Sequence, residues 1–174
     1  FNSFLDGTKS AIEMAAVCNT AGLEPPSNGL GFPPCPAGWL AEVCIPEADG
    51  GVLERSATVE VVSSFERDGA RLPDDLRWGV FVTFSAPSRY AVSCFREHGI
   101  PTHRSGRFAA LYRPFHLIGL ETSVSVASAG LLGEPTGQPD AFRADVVATA
   151  KRDLMPGELL DGEGGYTVWG AHVP

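Results

Sequence analysis

Across its 174 residues the sequence has no G-x-G-x-x-G and no Walker-type glycine loop ending in Lys-Ser/Thr. Both absences remove the glycine turns that press backbone N–H groups against nucleotide phosphates. Clustered Lys and Arg are also missing: 13 basic against 21 acidic residues leave a formal charge of −8. That argues against nucleic acid, whose recognition needs basic residues to displace phosphate counterions. There is no signal-peptide pattern and no apolar run of about 18 residues, so no membrane span is predicted. The four cysteines form no C-x-x-C, the serines form no G-x-S-x-G elbow, and His98, His103 and His172 stand at no metal-ligand spacing. The chain begins inside a motif, without an initiator Met, and ends just after a strand-like run, so it reads as an internal piece of a longer protein.

The residues present describe one globular domain, or one plus part of a second. A chain of this size buries roughly 70% of its unfolded surface. Cys18 and Cys94 fall in apolar helix-like runs and read as buried thiols; Cys35, between prolines, reads as the exposed one. Two disulfides are numerically available, but the low cysteine density favours thiols and a reducing cytoplasmic compartment.

Residues 8–21 predict a helix, with Ala11, Met14, Ala15 and Cys18 on one face, Asp6 or Thr8 capping its start and Gly22 ending it. Eight prolines and glycines between Glu24 and Gly38 predict a long loop, followed by a short helix over 39–44. Thr58–Phe65 and Trp78–Phe84 read as strands joined antiparallel through a polar turn. Ser88 caps a helix over 89–98. Residues 108–112 are apolar but too short to assign between helix and strand. The proline-free run His116–Leu132 reads as a buried helix packed closely on a neighbour or ligand. Strands follow at 145–150 and 166–169, with a turn at 153–158. The fold class is therefore α+β: a mixed or antiparallel sheet with helices over 1–142, then a small, incomplete all-β segment over 143–174.

Three segments carry candidate chemistry. In Asp6-Gly7-Thr8-Lys9 the lysine sits in a first helical turn, where the helix dipole prefers anions. Lys9 there either helps the exposed N–H groups hold an anion, or polarises a carbonyl, or merely pairs with Asp6 on the surface. In Tyr112-Arg113-Pro114-Phe115-His116, Arg113 offers a planar fork for phosphate or carboxylate, and imidazoles titrate near neutrality. Glu121 orients the His116 ring only if the intervening segment is not a regular helix, because i+5 falls on another face; the plain reading is a capping His and a structural Arg. In Asp161-Gly162-Glu163-Gly164-Gly165-Tyr166, the carboxylates either bind a divalent cation through oxygen or tip a solvated turn, the turn being favoured.

Together, Asn2–Lys9, Asn28–Cys35, Leu76–Phe84, Arg107–Glu121 and Arg143–Gly165 resemble the homoserine dehydrogenase-like proteins, including their 1-deoxy-D-xylulose 5-phosphate reductoisomerase-like branch. The resemblance implies an N-terminal Rossmann domain that binds NADPH, a middle domain for substrate binding and homodimer contact, and a C-terminal SAF (β-clip) domain. Residues 143–174 look like the opening of the last. It implies reduction of a carbonyl on a small phosphorylated or carboxylated substrate, with Mg²⁺ or Mn²⁺ normal in the reductoisomerase branch. The chemistry of the residues themselves, set beside that reaction, assigns Lys9, His116 and Asp6 as catalytic and Arg113, Asn2 and Glu121 as substrate-binding. Asp6, Glu121 and Glu163 are the carboxylates available to a metal, with Glu163 the metal candidate. Lys9 after Gly7-Thr8, rather than a neutral residue, favours the reductoisomerase branch over homoserine dehydrogenase chemistry. The rival class is a non-catalytic sugar-phosphate binding module. These 174 residues are expected to bind no NADPH by themselves; a micromolar Kd in calorimetry would overturn that division of labour.

Overall fold

The computed structural model describes residues 2–117 and 119–174. In chain order its elements are α1 (Asn2–Leu5), α2 (Thr8–Ala21), α3 (Leu40–Val43), β1 (Val80–Ser85), α4 (Arg89–Glu97), β2 (Phe108–Arg113), α5 (Thr122–Ala127), β3 (Asp145–Ala150) and β4 (Val168–Val173). Single 3₁₀ turns occur at Ala37–Trp39 and Glu47–Asp49, and a π turn at Ser128–Leu132 continues α5. The α+β expectation holds, with two separate two-stranded antiparallel sheets. No helix among the described residues is long and apolar enough to cross a membrane.

The chain divides into two compact units. The first comprises Phe1–Gly31, Ala57–Val61 and Gly137–Pro174. Here α2 packs on the β3–β4 hairpin, whose register runs from Asp145↔Val173 to Ala150↔Val168. Ala15, Cys18, Val59 and Ala144 form its core, with Met14, Leu23, Leu30 and Val146 against them. The predicted helical face of Ala11, Ala15 and Cys18 is indeed buried. Residues of the 143–174 segment thus share a core with α2.

Two polar ties hold this packing. The Gly170 N–H donates to the Thr8 hydroxyl at 2.9 Å in a buried contact. A Cβ at Gly170 would lie 2.7 Å from Val146 Cγ1 and 3.0 Å from Thr8 Cγ2, so only glycine lets β4 approach α2 this closely. At the other end of α2, Asn19 Oδ1 accepts the Arg143 N–H at 2.6 Å and the Ala144 N–H at 3.1 Å, while its Nδ2 donates to the Ala144 carbonyl at 3.0 Å. Both ring nitrogens of buried His172 lack a hydrogen-bond partner among the described residues.

The second unit, Phe32–Ser56 and Val62–Thr136, is built on β1 and β2. They pair antiparallel from Val80↔Arg113 to Ser85↔Phe108, with α4 between them in sequence. Its core is Cys35, Leu40, Ala41, Cys44, Leu76 and Ala110, with Phe81 and Tyr112 packed against it. The Thr83 hydroxyl donates to the Cys44 carbonyl at 2.6 Å, tying β1 to the end of α3. Phe95 of α4 meets Phe84 of β1 edge-to-face at 5.3 Å. Ser88 caps α4 as expected, its hydroxyl accepting the Ala91 N–H at 3.2 Å.

Three expectations are corrected. Thr58–Phe65 is not a strand: its contacts are isolated bridges, Thr58 to Glu24, Ser63 to Pro34 and Phe65 to Arg71. Its bridge partners Glu24, Pro34 and Arg71 lie in separate loops that offer no continuous strand to pair with, and β1 pairs with β2 instead. The run 116–132 is not one buried helix. Gly119 adopts φ +83, the helix starts only at Thr122, and Val124, Val126, Leu131 and Leu132 are exposed. The apolar residues lie all round this helix, so composition misread its burial. Finally, Cys35 is fully enclosed rather than exposed.

Replacing Gly170 by Ala should cost about 1–3 kcal/mol through overpacking, and Thr8→Val a similar amount by stranding a buried N–H, both read by urea unfolding. Burial also holds the His172 ring below its ordinary pKa of 6.5. Above that value both folded and unfolded states carry a neutral ring. Below it the unfolded chain binds a proton that the fold rejects, so stability should fall as pH drops from 6.5. Thermal melts across pH 7.5 to 5.5 should show this slope, weakened in His172→Phe.

Candidate functional site

In the second unit, β2 delivers Arg113 at its last position, and Pro114, lacking an N–H, stops the ladder there. The guanidinium lies over the Phe115 ring, 4.8 Å from its centroid. The chain then turns back through Gly119, so that Glu121 at the foot of α5 faces both basic side chains. One carboxylate oxygen of Glu121 takes the Arg113 Nη2 donor. The other lies 3.3 Å from His116 Nδ1 and accepts the Leu117 N–H at 3.2 Å. Because residues 116, 117 and 119–121 are not helical, the condition for Glu121 to reach His116 is met. Burial pushes the Glu121 carboxyl up, but the bonds from Leu117, Arg113 and His116 outweigh it and hold it below the usual carboxylate value. The result is an ionised carboxylate orienting a guanidinium and an imidazole. The side chains of Arg113 and His116 are 52% and 51% exposed, open to a solute.

In the first unit, Asp6 has a different fate. Its Oδ1 accepts the Thr8 N–H at 3.0 Å, and its Oδ2 takes Lys151 Nζ at 2.6 Å. Lys151 Nζ also donates to the Gly165 carbonyl at 2.6 Å. Burial raises the Asp6 pKa, and the bonds from Lys151 and Thr8 bring it below its ordinary value. Asp6 is therefore committed to joining the start of α2 to the β3–β4 hairpin. Lys9 is not its partner. The Lys9 ammonium sits 4.8 Å from the Phe4 ring centroid and has no carboxylate partner among the described residues. Asn2, Ser3, Glu163 and Gly164 line a recess of about 270 Å³.

Glu163 lies in the acidic turn, whose organiser is its neighbour. Asp161 accepts the Thr167 hydroxyl, the Tyr166 N–H at 2.6 Å and the Thr167 N–H at 3.1 Å. These bonds, the hydroxyl first, lower its pKa to about 2. The turn is thus closed upon itself. Among the described residues no three His, Cys, Asp or Glu side chains converge into a group that could hold a metal ion.

A further constellation escaped the spacing rules. His103 Nε2 lies 3.1 Å from Glu42 Oε2, and His103 Nδ1 lies 2.7 Å from the Ser105 hydroxyl. The Ser105 N–H also donates to Nδ1, which assigns the ring proton to Nε2. This carboxylate–imidazole–hydroxyl chain has the electronic order that activates a serine. However, the amides of Arg104, Ser105, Gly106 and Arg107 are spent on Glu42, His103, the His103 carbonyl and Ser105 respectively. With no donor left for an oxyanion, its work is to pin the 103–107 turn to α3. Glu42 and His103 are 61 positions apart, and nothing in the sequence joins them; the same holds for Asp6 and Lys151.

A family model described as "Oxidoreductase DRL, catalytic domain" matches residues 1–122. The match spans Asn2, Asp6, Lys9, Arg113, His116 and Glu121, and ends before the segment holding Glu163. No curated protein matches the chain. With more than two thirds of its length within that model, the chain belongs to the DRL oxidoreductase family and carries its catalytic domain.

Proposed function

We propose that this chain is the substrate-handling portion of an NADPH-dependent carbonyl reductase of the reductoisomerase-like type, acting on a small phosphorylated sugar. The observation that carries the reading is the Glu121-centred cluster, in which one ionised carboxylate orients Arg113 and His116 with both still open to solvent. Arg113 binds the substrate's phosphate or carboxylate through its planar fork. His116, steadied at Nδ1 by Glu121, delivers the proton that a carbonyl oxygen needs as it becomes a hydroxyl. Glu121 is the positioning residue of the pair.

NADPH supplies the hydride; these residues contain no glycine turn that fits its pyrophosphate, so a nucleotide-binding part elsewhere in the protein holds it. Lys9 adds a second cationic group in the first unit. Its ammonium is shielded by Phe4 rather than neutralised by a carboxylate, which leaves its charge available to an anion.

The test is NADPH oxidation by the full-length gene product with 1-deoxy-D-xylulose 5-phosphate. His116→Asn should lower kcat about 10²- to 10⁴-fold, the usual contribution of a positioned acid. Arg113→Ala should raise KM tenfold or more, and Arg113→Lys should restore little, because an ammonium does not reproduce the fork. Wild-type rates in both Arg113→Ala and His116→Asn would remove this cluster from catalysis. Turnover with another carbonyl substrate but not this one would keep the oxidoreductase and replace the sugar phosphate.

A further inference from the structure

We propose that Asn28 is a self-modifying residue: its side-chain amide is lost to attack by the Gly29 backbone nitrogen, leaving aspartate and isoaspartate in the first unit. The reaction needs an asparagine amide that is free to turn and a following nitrogen that no side chain shields. Asn28 is exposed in the turn 26–29, and its side chain makes no hydrogen bond among the described residues. Gly29 follows it without a Cβ, in the left-handed conformation at φ +75. The Gly29 N–H donates to the Pro26 carbonyl at 3.1 Å, a single turn bond that local opening releases.

The other candidates are held. Asn19 lies inside α2 before Thr20, with its amide fixed by Arg143 and Ala144. Asn2 lies in α1 before Ser3. Each Asp-Gly pair carries a carboxylate with a partner: Asp6 with Thr8 and Lys151, Asp49 with Arg107, Asp68 with the Ala70 N–H, and Asp161 with Thr167 and Tyr166. An ionised carboxylate has no leaving group to lose, whereas the Asn28 amide has one.

Once its proton has passed to hydroxide, the Gly29 nitrogen attacks Asn28 Cγ. The Cγ–Nδ2 bond breaks, ammonia leaves with a proton from water, and a five-membered succinimide remains. Water opens the ring at Cγ to give aspartate, or at the α-carbonyl carbon to give isoaspartate, in which the chain runs through Cγ. One water enters and one ammonia departs, with no electrons transferred. The isoaspartyl product strains the unit because the chain beyond it is anchored. A Cβ at Gly29 would lie 3.2 Å from the His172 carbonyl oxygen of β4, Leu30 packs on the core, and the Gly31 N–H donates to Glu60 Oε2 at 3.0 Å. An extra backbone carbon at 28 displaces these contacts.

The test incubates the folded chain at neutral and mildly alkaline pH, beside the free peptide Pro-Ser-Asn-Gly-Leu. Tryptic cleavage after Lys9 and Arg55 releases Asn19 and Asn28 on one peptide, whose fragment masses assign each residue. Asn28 should gain the mass difference between a hydroxyl and an amino group, faster at alkaline pH, with one ammonia released per chain and Asn2 and Asn19 intact. An isoaspartyl methyltransferase should then label the aged chain at this peptide and leave the fresh chain unlabelled. Gly29→Ala should slow conversion by roughly an order of magnitude, through the Cβ it adds beside the attacking nitrogen; the wild-type measurement stands even if that variant fails to fold. The urea midpoint of the aged chain should fall, while Asn28→Asp, which adds the charge without the extra backbone carbon, should match the fresh protein. An Asn28 amide still intact when the free peptide has fully converted would overturn the proposal, as would loss of Asn19 or Asn2 ahead of it.

Discussion

Thr8 is the point on which the first unit depends. Its hydroxyl accepts a buried N–H from Gly170, and its own N–H closes on Asp6. A buried amide without a partner costs about 1–3 kcal/mol, a large share of a domain's net stability. The contact forms only because position 170 has no side chain to keep β4 away from α2. Gly7, at φ 82, makes the entry to α2 left-handed and offers no side chain to cap it. The carboxylate one residue earlier does that work, and Lys151 neutralises it. Glycine at two positions and a hydroxyl between them therefore set the start of α2, and with it the position of Lys9.

The same economy explains why two carboxylates expected near chemistry diverge. Asp6 meets a lysine, a backbone N–H and partial burial, so its charge is consumed in holding elements together. Glu121 meets an arginine and a histidine that are each half exposed, so its charge orders groups that still face solvent. What separates a structural carboxylate from a positioning one here is the exposure of its partners rather than its own shifted pKa, which is lowered in both.

Local signals were legible where local physics decides. The helix at 8–21 and the strand at 145–150 appear with the predicted bounds, and the Ser88 cap with its predicted role. Thr58–Phe65 misled because β-propensity needs a continuous partner strand, and its bridge partners Glu24, Pro34 and Arg71 lie in separate loops. The run after His116 misled because lack of charge says nothing about whether a neighbour exists to cover it. His116 and Glu121 were legible only as a condition, which Gly119 fulfils by breaking the helix between them. Lys151 with Asp6, and Glu42 with His103, were beyond reach, since pairs separated by most of the chain leave no periodicity.

The anion binding proposed for this acidic chain faces a contradiction, which the placement of its cations addresses. With a net charge of −8 the far field repels a phosphorylated or carboxylated solute. At physiological ionic strength that field decays within about 8 Å, so capture depends on charges met at contact rather than on long-range steering. Most arginines here are already tied to carboxylates, as Arg107 is to Asp49 and Arg143 to Glu24. Arg113 is tied as well, yet its carboxylate also serves an imidazole, and its flat face rests on Phe115 rather than in water. Stacking on an aromatic ring lowers the hydration that an incoming anion must strip away. Lys9 over Phe4 repeats the device in the other unit. In each unit by itself, a cation resting on a ring, and not an abundance of positive charge, is what the proposed capture of a negative group draws on.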